Sequence, residues 1–136
     1  MLSMTYGLLY IKKWPEGLRS DSGIFEILAL DNLGKPRPLA RIGGTDGGGV
    51  LFIGQGHKLR KRLELLRLGL FRDDAGHMAA KAYEENPPFQ KVVPKQQLGF
   101  RFEHCEDFKT RAKERLDRYV KHFGELPPLN APLSSR

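Results

Sequence analysis

Lys58-Leu59-Arg60-Lys61-Arg62-Leu63 places four cations in six residues, and Arg67 follows shortly after. An arginine offers a planar fork of N–H donors that matches a phosphate through paired, charge-assisted hydrogen bonds, whereas a lysine acts as a point charge. This stretch can therefore hold a polyanion, with Arg62 as the fork and Lys58, Arg60, Lys61 and Arg67 as supporting charge. The same cations also read as the solvated face of a core helix. His57 adjoins the stretch and His77 lies beyond it. An imidazole titrates near neutrality, so either could exchange a proton or contact phosphate, and a surface or helix-capping role is the alternative for His77. Glu114 and Asp117 offer hard oxygen donors for a divalent cation, or are solvated helix charge.

These residues need elements to position them. Leu59, Leu63, Leu66 and Leu70 fall at alternating spacings of four and three, which predicts an amphipathic helix with the cations beside or opposite its buried stripe. Val50 to Gly54 is an apolar run of strand length, turned into that helix by Gln55-Gly56-His57. Gly23 to Leu30 reads as a strand, and Asp31-Asn32-Leu33-Gly34 as a turn starting a hairpin that Leu39 to Ile42 continues. Gly43-Gly44-Thr45-Asp46-Gly47-Gly48-Gly49 reads as a mobile loop, without the Lys-Ser/Thr ending of a phosphate-binding P-loop.

Asp73-Asp74-Ala75-Gly76 breaks the helical pattern, His77 to Glu85 resumes it, and Asn86-Pro87-Pro88 stops it. Leu98 to Cys105 alternates as a half-buried strand. A final helix runs from about Phe108 to Phe123, with Asp107 placed to cap its start, Ala112, Leu116, Tyr119, Val120 and Phe123 on one face, and Gly124 as its stop. A short strand over Tyr6 to Ile11 precedes all of this, and Ala131 to Arg136 reads as a frayed tail.

A length of 136 residues suits one domain, with 1–22 as a packed extension, 23–130 as the body and 131–136 as the tail. With 40% hydrophobic and 29% charged residues the composition is that of a globular chain, and the net charge of +7 favours anionic partners. Cys105 is the only cysteine, which excludes an internal disulfide and a cysteine-based zinc site. The early apolar stretch Gly7 to Ile11 is too short to span a bilayer and lacks a signal-peptide layout, so a cytoplasmic protein without membrane contact is expected. Oligomeric state leaves no trace in the sequence.

Gly23-Ile24-Phe25, then Leu51-Phe52-Ile53-Gly54, then Arg62 ten positions after Phe52, then the ending Phe123-Gly124-Glu125-Leu126-Pro127-Pro128-Leu129-Asn130 together resemble the GIY-YIG nuclease family over roughly residues 23–130. The resemblance implies an α+β fold: a small domain with an antiparallel three-stranded central sheet flanked by helices, here with an N-terminal strand extension. It also implies a site in which a tyrosine hydroxyl helps activate water, an arginine steadies the scissile phosphate, and a glutamate on the last helix holds one divalent metal. Arg62 fills the arginine position and Asn130 the final asparagine near the site.

The chain departs from the pattern at three places. Both signature tyrosines are phenylalanine, Phe25 and Phe52, and a phenyl ring neither takes a proton nor holds a water. Leu116 stands where the metal-binding glutamate belongs, leaving Asp117 on the helix flank, or Glu114 facing away, as substitutes for Mg2+ or Mn2+ if the site is active. The expected function is nucleic-acid binding, with DNA first, and weak or lost hydrolysis. An endonuclease in which His57, His77 or Asp117 replaces the missing groups is the enzymatic alternative. A protein-interaction module on a degenerate nuclease fold is the third.

Overall fold

In the computed structural model, which describes residues 7–9, 14–71 and 77–130, the chain runs β1 (Gly7–Leu8), β2 (Gly23–Ala29), β3 (Leu39–Arg41), β4 (Gly44–Asp46), β5 (Val50–Gly56), α1 (Leu59–Phe71), α2 (Met78–Glu84), α3 (Pro87–Val92), β6 (Leu98–His104) and α4 (Phe108–Phe123). The expected Asp73-Asp74-Ala75-Gly76 break, the 131–136 tail and most of the Tyr6–Ile11 strand lie outside the described residues.

The fold is α+β. Its sheet has the order β1-β6-β2-β5 and every pair is antiparallel, so three long central strands carry β1 as an extra edge strand. β2 lies in the middle and is buried along its whole length, because successive side chains leave a sheet on opposite faces and both faces here are covered. On one face Phe25, Ile27 and Ala29 join Phe52, Phe100 and the leucine stripe of α1, with Tyr83 of α2 in the same cluster. On the other, Leu28, Val50 and Ile53 meet Tyr119 and Phe123, while Ile24 meets Phe108 and Ala112. The sheet thus sets α1 and α4 on opposite faces. Among the described residues no helix is long and apolar enough to cross a membrane.

Three local expectations need correction. Leu39 to Ile42 does not extend the β2 hairpin, since β3 pairs with β4 in a separate two-stranded sheet. The Gly-rich segment is not a bare loop either. The Asp46 carboxylate is buried and accepts hydrogen bonds from Gly48 N at 2.9 Å, Val50 N at 3.0 Å and the Tyr119 hydroxyl at 2.8 Å, so one side chain ties the segment to β5 and α4. Asn86-Pro87-Pro88 ends α2 but also starts α3: Asn86 Oδ1 accepts from Phe89 N at 3.2 Å, and proline is tolerated in a first turn that has no N–H partner to lose.

The β3–β4 hairpin also fixes the end of α4. Gly43 N donates to Phe123 O at 2.8 Å, and Arg41 pairs with Glu125 at 2.9 Å. Gly124 ends the helix in the left-handed region at φ 74°, its N–H bonded to Val120 O. Asp107 precedes the helix without capping it and instead pairs with Arg111 at 3.2 Å.

Candidate functional site

The two glycine-containing strands lie side by side, with Phe25 opposite Gly54 and Ile27 opposite Phe52. The Phe25 and Phe52 rings converge at a centroid distance of 5.9 Å. They converge over Gly54, where a methyl group would come within 2.4 Å of Phe25 Cζ and 2.7 Å of Phe52 Cε2. Above these rings opens a cleft of about 540 Å³ between the end of β5, the start of α2 and one flank of α4. Phe25, Phe52, Arg62, His77, Asp117 and Asn130 all line it, so residues scattered over a hundred positions meet in one place.

Arg62 lies on the flank of the α1 leucine stripe, one residue before Leu63. Its side chain is exposed and runs over Gly56, with Nε 3.4 Å from Gln55 O, a long contact, and it makes no ion pair among the described residues. An adjoining groove of about 450 Å³ continues past Arg62 to Lys58 and Lys61. At 100° per residue these three share a flank, while positions 60 and 67 fall on the opposite one. Arg60 and Arg67 accordingly line neither recess. Arg60 sits 3.7 Å from Glu64, and Arg67 turns inward, with Cζ 3.9 Å from the centre of the Trp14 ring and Nε donating to Leu9 O at 2.9 Å.

Lys109 and Lys113 complete the cationic rim from α4, and sequence reading missed both. Their spacing of four, with Asp117 four further on, places all three on one helix flank. The spacing is legible in the sequence, but which flank of the helix borders the cleft depends on how α4 packs.

His77 caps α2: its Nδ1 accepts from Ala79 N at 3.1 Å, so in the neutral ring the proton sits on Nε2. The ring packs 5.5 Å from Phe52 and 6.0 Å from Phe25. Burial pushes the imidazole down to about 4, and the Arg62 charge pushes the same way. A neutral ring whose second nitrogen already carries a proton cannot take one from water, so His77 makes a poor replacement for a tyrosine. His57 is exposed, packs edge-on against Phe108 at 4.8 Å and lines the adjoining groove, not the cleft. His104 has both nitrogens engaged, with Arg19 N at 3.0 Å and Ser22 O at 3.1 Å.

Asn130 has its amide committed as well. Oδ1 accepts from Ile53 N at 2.8 Å and Nδ2 donates to Ile53 O at 3.1 Å, so the side chain pairs with the edge strand as a neighbouring strand would. It positions the strand that carries Phe52 and Gly54.

Among the described residues the donor set does not fit a resident divalent metal. Leu116 lines the cleft without a donor atom, Glu114 lies outside it, and Asp117 is the one carboxylate among the described lining residues. Asp117 shares that lining with Arg62, Lys109 and Lys113, and among the described residues no three His, Cys, Asp or Glu side chains gather in a metal-binding group. What the arrangement offers is a neutral, largely apolar floor beneath a cationic rim. No family model, curated protein or solved structure matches the chain.

Proposed function

We propose that this chain is a nucleic-acid-binding domain of GIY-YIG nuclease-like type that holds the phosphodiester backbone and has weak or no hydrolytic activity. The observation that carries this reading is the exposed Arg62 guanidinium, unpaired by any carboxylate among the described residues, with Lys58 and Lys61 beside it and Lys109 and Lys113 lining the same recesses. A carboxylate that ended Arg62's availability would have argued against it. The loss of hydrolysis follows from Phe25 and Phe52, which cannot position water, and from Asp117 being the one carboxylate of the cleft among the described residues. Losing a positioned acid or base typically removes about 10²–10⁴-fold in rate, and here both hydroxyl positions are empty of function. The partner is nucleic acid, DNA first, and the single cysteine suits a reducing cytoplasm.

Nicking of supercoiled plasmid in Mg2+ or Mn2+, run beside a gel-retention assay at low salt, tests the proposal on wild type, Arg62→Ala and Phe25→Tyr. Wild type is expected to retain DNA without nicking it, and Arg62→Ala to weaken retention. Arg62-dependent nicking by wild type would replace this reading with an active endonuclease. Failure to retain either DNA or RNA would favour a protein-interaction module.

A further inference from the structure

We infer that the cleft accepts a nucleotide whose base is unpaired, so that the preferred partner is single-stranded and not duplex nucleic acid; the inference rests on the backbone-binding reading above. Phosphate alone needs no apolar surface. Yet the walls of the cleft include Leu116, Leu126 and Met78, above the Phe25 and Phe52 floor, while its positive charges on Arg62, Lys109 and Lys113 outnumber the single negative charge that Asp117 adds to the described lining. Met78 is 52% exposed, although it opens a helix whose Ala79, Ala80, Ala82 and Tyr83 are buried. What sets Met78 apart from other exposed apolar side chains is its place on the cleft wall beside the cationic rim, where a long adaptable thioether offers apolar contact to a ligand that also carries negative charge.

A duplex has its bases stacked inside and its phosphates outside, so it would touch the rim and leave the apolar walls wet. An unpaired nucleotide presents both an apolar base face and a phosphate, which is how single strands are commonly bound. The volume of about 540 Å³ lies within the ~300–1,000 Å³ of clefts that enclose a small ligand. Gln55 and the neutral ring of His77 line the same space, and both carry hydrogen-bonding groups for a base edge without adding charge.

Fluorescence anisotropy on the full chain tests this with three probes of equal length: a mixed-sequence single strand, the same sequence as a blunt duplex, and an abasic strand. The single strand is expected to bind at least about fivefold tighter than the duplex, with the abasic strand losing that advantage. Met78→Ser should lower single-strand affinity by roughly threefold to tenfold and leave duplex affinity unchanged, while Met78→Leu retains both. Equal, salt-sensitive binding of all three probes would overturn the inference and leave the backbone-binding reading standing, as would a single-strand preference that Met78→Ser does not alter. Absence of binding to any probe would overturn both.

Discussion

A methyl group added to Gly54 would lie 2.4 Å from Phe25 Cζ and 2.7 Å from Phe52 Cε2, so one or both of these buried rings must shift to admit it. Overpacking of this kind costs about 1–3 kcal/mol, so Gly54→Ala should lower the urea midpoint accordingly. Gly56→Ala is the control: its methyl meets the Arg62 side chain at an ordinary 3.5 Å and should cost less than about 0.5 kcal/mol. The glycine that ends the second motif is thus a packing requirement of the two rings. His77 supplies a pH signature. Its folded value of about 4 lies below the ordinary 6.5, so the unfolded chain binds the proton more readily. Stability is unaffected by this residue above pH 6.5 and falls as pH drops from 6.5 to 4, by roughly 3 kcal/mol in all. Denaturation at a series of pH values should show that loss in wild type and a flatter profile in His77→Asn, which can still cap α2.

At the scale of elements, the Gly-rich hairpin acts as a buttress for α4 and so for the wall carrying Lys109 and Lys113. Its anchor is Asp46. Asp46→Ala strands the buried Tyr119 hydroxyl and two backbone N–H groups, at about 1–3 kcal/mol for each unpaired group that water cannot reach. Thermal melting should drop clearly for Asp46→Ala, and hydrogen exchange at Gly48 and Val50 should accelerate; Tyr119→Phe, which removes one bond, should have the smaller effect. Elements with strong periodicity were readable in advance: the leucine spacing of α1, the alternation of β6, and the strands bearing Phe25 and Phe52. β4 was not, because seven residues dominated by glycine look flexible until a carboxylate within them is seen to bond its own backbone and a distant tyrosine. α3 was missed because proline reads as a stop, although Asn86 makes it a start. The split of the α1 cations into two flanks follows from the helical period, but which flank borders a cleft depends on where α4 packs. Likewise, Asn130 was placed near the site while its pairing with Ile53 depended on a contact 77 positions away in sequence.

For the molecule as a whole, the net charge of +7 is unevenly deployed. Arg101, Arg111 and Arg115 are spent on Glu26 and Glu103 across the α4 face of the sheet, and Arg67 lies against Trp14. Lys58, Lys61, Arg62, Lys109 and Lys113 border two adjoining recesses that share Arg62 and Lys109, and a polyanion bound there displaces condensed counterions. Binding should therefore weaken steeply with salt. The slope of log Kobs against log salt concentration, compared between wild type and Arg62→Ala on one oligonucleotide, reads this directly. A steep negative slope in wild type that becomes shallower by roughly 0.7–1 in the variant is the predicted result. A flat wild-type slope, or one that Arg62→Ala leaves unchanged, would contradict the claim that this guanidinium holds a phosphate.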